Sequence, residues 1–325
     1  MRALVFDGDG PRFVTDHAEP ALRGGEAVIR PVRAGICSTD LEICRGYMGF
    51  TGVLGHEFVG VVEGVSDDAD ERGQGLMGQR VVGSINCVCG ACDMCQRGLS
   101  NHCRDRTVLG IAGRDGCLAD RFVLPLRNLH AVPEVMDDDT AVFTEPVAAA
   151  VNVMQRLRIE ARPYITVLGD GRLGLLTAQV LARLNASVRV LGKHAAKLEL
   201  CERWGIRHRL VDDVTPRADQ DVVVDCTGSA TGLAMAMRLV RPRGTIALKT
   251  TVADQQGVDL SPIVIHEIDV VGSRCGPFPD ALSLLADEAV EVIGLISRRV
   301  RLEDGVEGLR AAAQADVIKV LIEFD

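Results

Sequence analysis

The stretch YITVLGDGRLGLLTAQVLARL constrains the fold more than any other part of this 325-residue chain. An apolar run, YITVL, leads into LGDGRLG and then into a helical pattern. Gly169, Gly171 and Gly174 match G-x-G-x-x-G in the strand–turn–helix setting that gives the motif its meaning. The first glycine makes a tight turn, the second lets the backbone approach a pyrophosphate, and the third lets helix and strand pack closely. The helix start adds N–H donors and partial positive charge, so Arg172 and Leu173 join the three glycines as candidate phosphate-binding residues. Asp170, inside the turn, brings a negative charge there, and its side chain is expected to point away.

The texture around this turn divides the chain into three. Residues 1–146 are rich in Gly, Val and short β-like runs such as AVIRPV and FVGVVEGV, which read as an irregular, mostly β domain. Residues 147–275 alternate strands with helical stretches: YITVL, RLGLLTAQVLARL, SVRVL, AAKLELCERW, DVVVD, GLAMAMRLV and TIALK. That alternation predicts a parallel sheet covered by helices, so the fold class is α/β. Residues 276–325 carry two helix-like stretches, ALSLLADEAVEVI and LEDGVEGLRAAA, and end on the strand-like VIKVLIEF.

The second strand bears on the choice of dinucleotide. A site for NAD usually places Asp or Glu near that strand's end, on the ribose 2′-hydroxyl. In SVRVLGKHAAK the position falls on Gly192, followed by Lys193 and His194. With no carboxylate there to repel a 2′-phosphate, and two potentially cationic side chains to attract one, the sequence favours NADP over NAD. The alternative makes Lys193 and His194 solvated loop residues.

A formal net charge of −9 argues against nucleic acid as the main partner. No run of about 18 apolar residues suggests a membrane span. The start, MRALVFDGDGPRF, lacks the basic and apolar regions of a signal peptide, so the expected compartment is the cytoplasm. Eleven cysteines in a reducing compartment point to metal rather than disulfides. Five of them crowd into CVCGACDMCQRGLSNHC, residues 87–103, whereas a tetrahedral site needs four. Elsewhere, GICSTD holds Cys37, GHE holds His56 and Glu57, and TEP holds Glu145. Beside a dinucleotide fold, these ligand types suggest Zn²⁺ with an open position that polarises a substrate oxygen.

GICSTD, GHEFVGVVEGV, the cysteine run, TEP and LGDGRLG occur in the same order as in the zinc-dependent medium-chain dehydrogenases. The chain resembles that superfamily over essentially its whole length, most of all its threonine, sorbitol and glucose dehydrogenase branch. The resemblance implies a GroES-like β-rich catalytic domain, a Rossmann domain, and a C-terminal return to the first domain. It implies two Zn²⁺ per chain and hydride transfer between an alcohol or polyol, or its carbonyl counterpart, and NADP(H) or NAD(H). Cys37 and His56 match catalytic zinc ligands. Glu57 is a ligand in some relatives and stands just outside the shell in others. Glu145 matches the third-ligand region. Thr39 matches the hydroxyl that hands the substrate proton away. Five residues after Cys37, where many relatives have a relay histidine, stands Glu42, which either accepts that proton or is bypassed through ribose hydroxyls and solvent.

Cys89, Cys92, Cys95 and Cys103 reproduce Cys-x2-Cys-x2-Cys-x7-Cys and resemble the family's structural zinc lobe, leaving Cys87 as the spare. Lys319 matches a basic residue that reaches the cofactor phosphates, or else is an exposed lysine on an edge strand. Thr227, Gly228 and Lys249 match segments flanking the nicotinamide half. Tyr47, Phe50 and Arg114 are expected near the substrate. Family habit favours a homodimer or homotetramer. The competing readings are a carbonyl reductase using the same residues, and a nucleotide-binding homologue without catalysis.

Overall fold

In the computed structural model, residues 1–158, 162–251 and 257–324 are described. They form two compact units: residues 1–145, 282–287 and those from 296 on in one, and 146–281 with 288–295 in the other.

The first unit is built on β1 (Glu26–Ile36), whose Ala27, Ile29, Ala34 and Ile36 are buried. β2 (Glu57–Val65) and β3 (Arg80–Gly83) continue the sheet, with β4 (Phe122–Pro125) also on β1 and β5 (Leu129–Ala131) at the far end. These pairings are antiparallel. Phe58 and Phe122 meet edge to face at 4.7 Å in this core. Between β1 and β2 the chain forms α1 (Ser38–Ile43). The cysteine-rich segment forms its own small sheet from Asn86–Cys87, Thr107–Leu109 and Gly113–Arg114.

The second unit opens with α2 (Thr144–Arg156), which begins at the division between the units. It holds an all-parallel sheet of β6 (Tyr164–Leu168), β7 (Ser187–Gly192), β8 (Arg207–Leu210), β9 (Gln220–Asp225), β10 (Val240–Leu248) and β11 (Asp269–Gly272). The order is β8-β7-β6-β9-β10-β11. α3 (Arg172–Ala182), α4 (Ala195–Arg203) and α5 (Gly232–Leu239) serve as crossovers. Strand order reverses between β6 and β9, and the glycine turn sits at the carboxyl end of β6, where sheets of this kind bind ligands. This is a Rossmann-type sheet. The apolar runs of β6 and β9 follow from burial on both faces.

The chain then returns to the first unit, where β12 (Ile296–Arg301) pairs in parallel with β13 (Lys319–Glu323), and β13 adds antiparallel to β1. β13 is therefore an interior strand. Two expectations differ here. Residues 276–281 and 288–295 lie in the second unit. The helix in ALSLLADEAVEVI stops at Ala286. Beyond it, the Glu291 backbone exchanges hydrogen bonds with the Gln179 side chain at 2.9 and 2.8 Å, while its carboxylate accepts from Trp204 at 3.0 Å. These tertiary bonds accompany a path in which residues 288–292 are not helical and Ile293–Leu295 forms a short 3₁₀ turn.

Phe122→Ala would remove half of the Phe58–Phe122 pair and leave a cavity. The expected loss is about 3–5 kcal/mol, read as a lower midpoint for the first unit in urea unfolding.

Candidate active site and metal centres

The first cluster forms where β1 ends and β2 begins. Cys37, His56 and Glu57 each place a ligand atom within 4.8 Å of the others. His56 and Glu57 are buried and Cys37 is partly so. Asp40 organises them. Its Oδ2 accepts the Cys37 N–H at 2.7 Å, and its Oδ1 accepts the Gly55 N–H at 3.2 Å. Its Oδ1 also lies 3.3 Å from His56 Nδ1. Burial alone would push the His56 pKa down; the Asp40 carboxylate and then the Cys37 thiol outweigh it and hold it well up. Burial alone would raise Asp40, and His56 with the Cys37 N–H bring it below its usual value. Asp40 was missed in the sequence, though its signal was there: it is the third residue after Cys37, where an acid caps a helix start.

Lys319 departs from both expectations for it. It is 1% exposed, and its Nζ donates to Glu57 Oε2 and, at 3.2 Å, to the Ile36 carbonyl. It is neither an exposed edge lysine nor placed to grip cofactor phosphates. Gly35 makes the pairing possible, since β2 and β13 flank it and a Cβ there would overlap both the ammonium and the carboxylate. Burial pulls the Lys319 pKa down to about 8, against the pull of Cys37 and Asp40.

Thr39 Oγ1 lies 3.7 Å from Cys37 Sγ. Glu42 is not in the cluster; its Oε1 accepts from Arg45 at 2.6 Å on the surface of α1. Glu145 sits half-buried in the first turn of α2 and is also outside the group. Arg114 is taken up by the buried Glu26 at 2.8 Å and by the Val123 carbonyl, so it is a structural arginine. Phe50 is buried, and Tyr47 is partly exposed in a 3₁₀ turn.

The second cluster is the cysteine lobe. Cys89, Cys92, Cys95 and Cys103 converge, with sulfur separations of 3.5, 3.6, 3.8 and 4.0 Å among them. A tetrahedron with Zn–S bonds of ~2.3 Å spaces its sulfurs about 3.8 Å apart. N–H groups of Ala91 and Cys92 point at Cys89 Sγ, and that of Cys89 at Cys103 Sγ. Backbone hydrogen bonding at Arg104 and then Cys95 draws the Cys92 pKa down to about 6, while desolvation and then Cys92 push Cys95 up to about 12. A shared cation would relieve that crowding. Cys87 is buried in its own strand, apart from the four.

In the second unit, a Cβ on Gly174 would overlap the Gly169 carbonyl, which fixes the close packing of turn and helix. Gly171, the N-cap of α3, has nothing within 4 Å of such a Cβ, so a pyrophosphate has room against the backbone. Arg172 and Leu173 form the first turn of α3. Asp170 turns its side chain to the end of β7, where it accepts the N–H groups of Lys193 and His194 at 2.7 and 2.6 Å. A carboxylate therefore does stand beside Lys193 and His194, and the premise for preferring NADP fails. At the end of β9 the buried Asp225, also missed, accepts from Thr227 Oγ1 at 2.7 Å and Thr250 Oγ1 at 2.9 Å. Gly228 turns with φ 61° beside it. Lys249 donates to the carbonyls of Ala149 and Arg274, which commits its ammonium to the backbone.

The family described as Alcohol dehydrogenase GroES-like domain matches residues 23–134, and that described as Zinc-binding dehydrogenase matches residues 173–287. L-threonine 3-dehydrogenase of Streptomyces avermitilis is 31% identical, with 100% of this chain and 99% of that protein covered. The chain belongs to the zinc-dependent medium-chain alcohol dehydrogenases. Sorbitol dehydrogenase of Halalkalibacterium halodurans is 28% identical over 99% of each chain. The structure of a Sinorhizobium meliloti 1021 protein described as a zinc-binding dehydrogenase, bound to NADP, superposes with a TM-score of 0.86 at 27% identity over 99% of each chain.

As a member of this family, the protein is an oxidoreductase that moves hydride between an alcohol, or its carbonyl counterpart, and a nicotinamide cofactor, with zinc. Among the described residues, no helix is long and apolar enough to cross a membrane. The thiolate, imidazole and carboxylate of Cys37, His56 and Glu57 suit Zn²⁺ and leave a position open.

Lys319→Met would remove the buried ammonium that donates to Glu57 Oε2, at an expected cost of about 3–5 kcal/mol. Adding Glu57→Gln should recover most of that loss, and thermal unfolding of the single and double variants measures both.

Proposed function

We propose that the protein oxidises a secondary hydroxyl of a polyol or similarly hydroxylated small molecule, or reduces the matching ketone, with two Zn²⁺ per chain. The observation that carries this reading is the convergence of Cys37, His56 and Glu57 beside the Thr39 hydroxyl. The sorbitol and threonine activities of the relatives support the substrate class. Bound at Cys37, His56 and Glu57, zinc supplies a Lewis acid for charge on a substrate oxygen.

The chain's own residues do the rest. Asp40 holds Cys37 and the His56 loop in register. Lys319 anchors one oxygen of Glu57. Thr39 accepts the substrate hydroxyl proton and passes it on. Glu42 is engaged by Arg45 at 2.6 Å, so it is not the group to which Thr39 hands the proton. The four lobe cysteines would hold a second Zn²⁺ with no position left for substrate, and would so pin a segment with little apolar core of its own.

The test follows reduced-nicotinamide absorbance with alcohols, polyols, aldoses and hydroxy amino acids. Activity is expected with polyols, and none in any class would overturn the reading. Thr39→Val should lower kcat about 10²–10⁴-fold, whereas Glu42→Gln should leave the pH–rate profile unchanged. Metal analysis should find two zinc ions per chain, and one after Cys37→Ser.

We also propose self-association through the second unit. β11 is an edge strand with Val270 exposed, and Leu260, Val264 and Ile265 are exposed nearby in sequence. Unpaired edges and apolar patches of this kind are usually covered. Light scattering should report a dimer or tetramer, and Val270→Lys should lower the assembled fraction.

A further inference from the structure

We propose that Asp170 is the carboxylate that recognises the adenosine ribose, and that it makes this dehydrogenase select NAD over NADP. The inference rests on the dehydrogenase reading and concerns which dinucleotide that site takes.

In dinucleotide folds, the acid that bonds the ribose 2′-hydroxyl ordinarily comes about 20 residues after the glycine turn, at the end of the second strand. That place is Gly192 at the end of β7. A side chain there has no room, because a Cβ on Gly192 would overlap the carboxylate of Asp170. The space an acidic side chain at 192 would fill is thus filled by an acid from the neighbouring strand's turn. The sequence pattern lacks the acid; the folded site has one.

The carboxylate is fixed and committed. Asp170 is 6% exposed. Its Oδ2 accepts the N–H groups of Lys193 and His194, and His194 Nδ1 lies 3.1 Å from both oxygens. Those two N–H groups lead into α4, whose start would otherwise suit an anion. A 2′-phosphate placed here meets a buried negative charge and finds two donors already taken. It can recruit them only by displacing Asp170, which would leave the carboxylate buried without them. A ribose 2′-hydroxyl brings a donor instead, and Asp170 Oδ1, which faces the His194 ring, can accept it. Lys193 is exposed and His194 is held by Asp170, so the cations that favoured NADP in the sequence are respectively solvated and partnered.

The test is equilibrium binding of NADH and NADPH by nicotinamide fluorescence, with no substrate and no turnover. The unmodified protein should bind NADH at least ten-fold more tightly than NADPH. Asp170→Asn, which keeps the shape and removes the charge, should narrow that ratio about ten-fold, chiefly by improving NADPH. Equal weakening of both dinucleotides by Asp170→Asn would mean that Asp170 only shapes the turn, and would overturn the inference. So would tighter binding of NADPH by the unmodified protein, which is decisive even if the variant fails to fold. Binding of neither dinucleotide overturns the dehydrogenase reading itself, and this inference with it.

Discussion

The buried carboxylate of Asp40 is the interaction on which the first unit's chemistry depends. It is fully enclosed and negatively charged, a costly state unless every lone pair is used. The Cys37 and Gly55 N–H groups donate to it, and the His56 ring lies 3.3 Å away. These partners belong to two chain segments that pairing of β1 with β2 brings together. One acid therefore sets the spacing of the thiol and the imidazole before any metal arrives. Behind them, Lys319 and Glu57 meet across Gly35, so the third donor is anchored by a strand from the far end of the chain.

The second unit uses the same device twice. Asp170 ties the glycine turn to the end of β7, and Asp225 ties the end of β9 to Thr227 and Thr250. In each case a buried acid at a strand's carboxyl end satisfies backbone and hydroxyl donors that would otherwise be loose at the ligand-binding edge of the sheet. Such sites are rigid because an unsatisfied partner inside the protein is expensive.

The glycine turn, the strand–helix alternation and the cysteine spacing were legible in the sequence because their physics is local. A tight turn needs glycine, a buried parallel strand needs an apolar run, and four thiols within seventeen residues meet without help from distant chain. Cys89, Cys92, Cys95 and Cys103 could be separated from Cys87 by spacing alone. Cys37, His56 and Glu57 were legible as ligand types, and resemblance grouped them. Lys319 was misread because its partner Glu57 lies 262 residues away. Glu42 and Lys249 were drawn toward function by position, while their actual partners, Arg45 and two backbone carbonyls, depend on side-chain direction and folding.

The sequence by itself determined the alternating strand–helix architecture, the glycine turn and the four-cysteine set, since periodicity and spacing act over a few residues at a time. Only the tertiary structure decided which charges face one another. It put a lysine from the last strand onto Glu57, and an aspartate from one turn into the place left by Gly192 at the end of another strand. The reason is physical: a buried charge takes its partner from whatever segment the fold brings within hydrogen-bonding distance, and that distance has no counterpart in sequence separation.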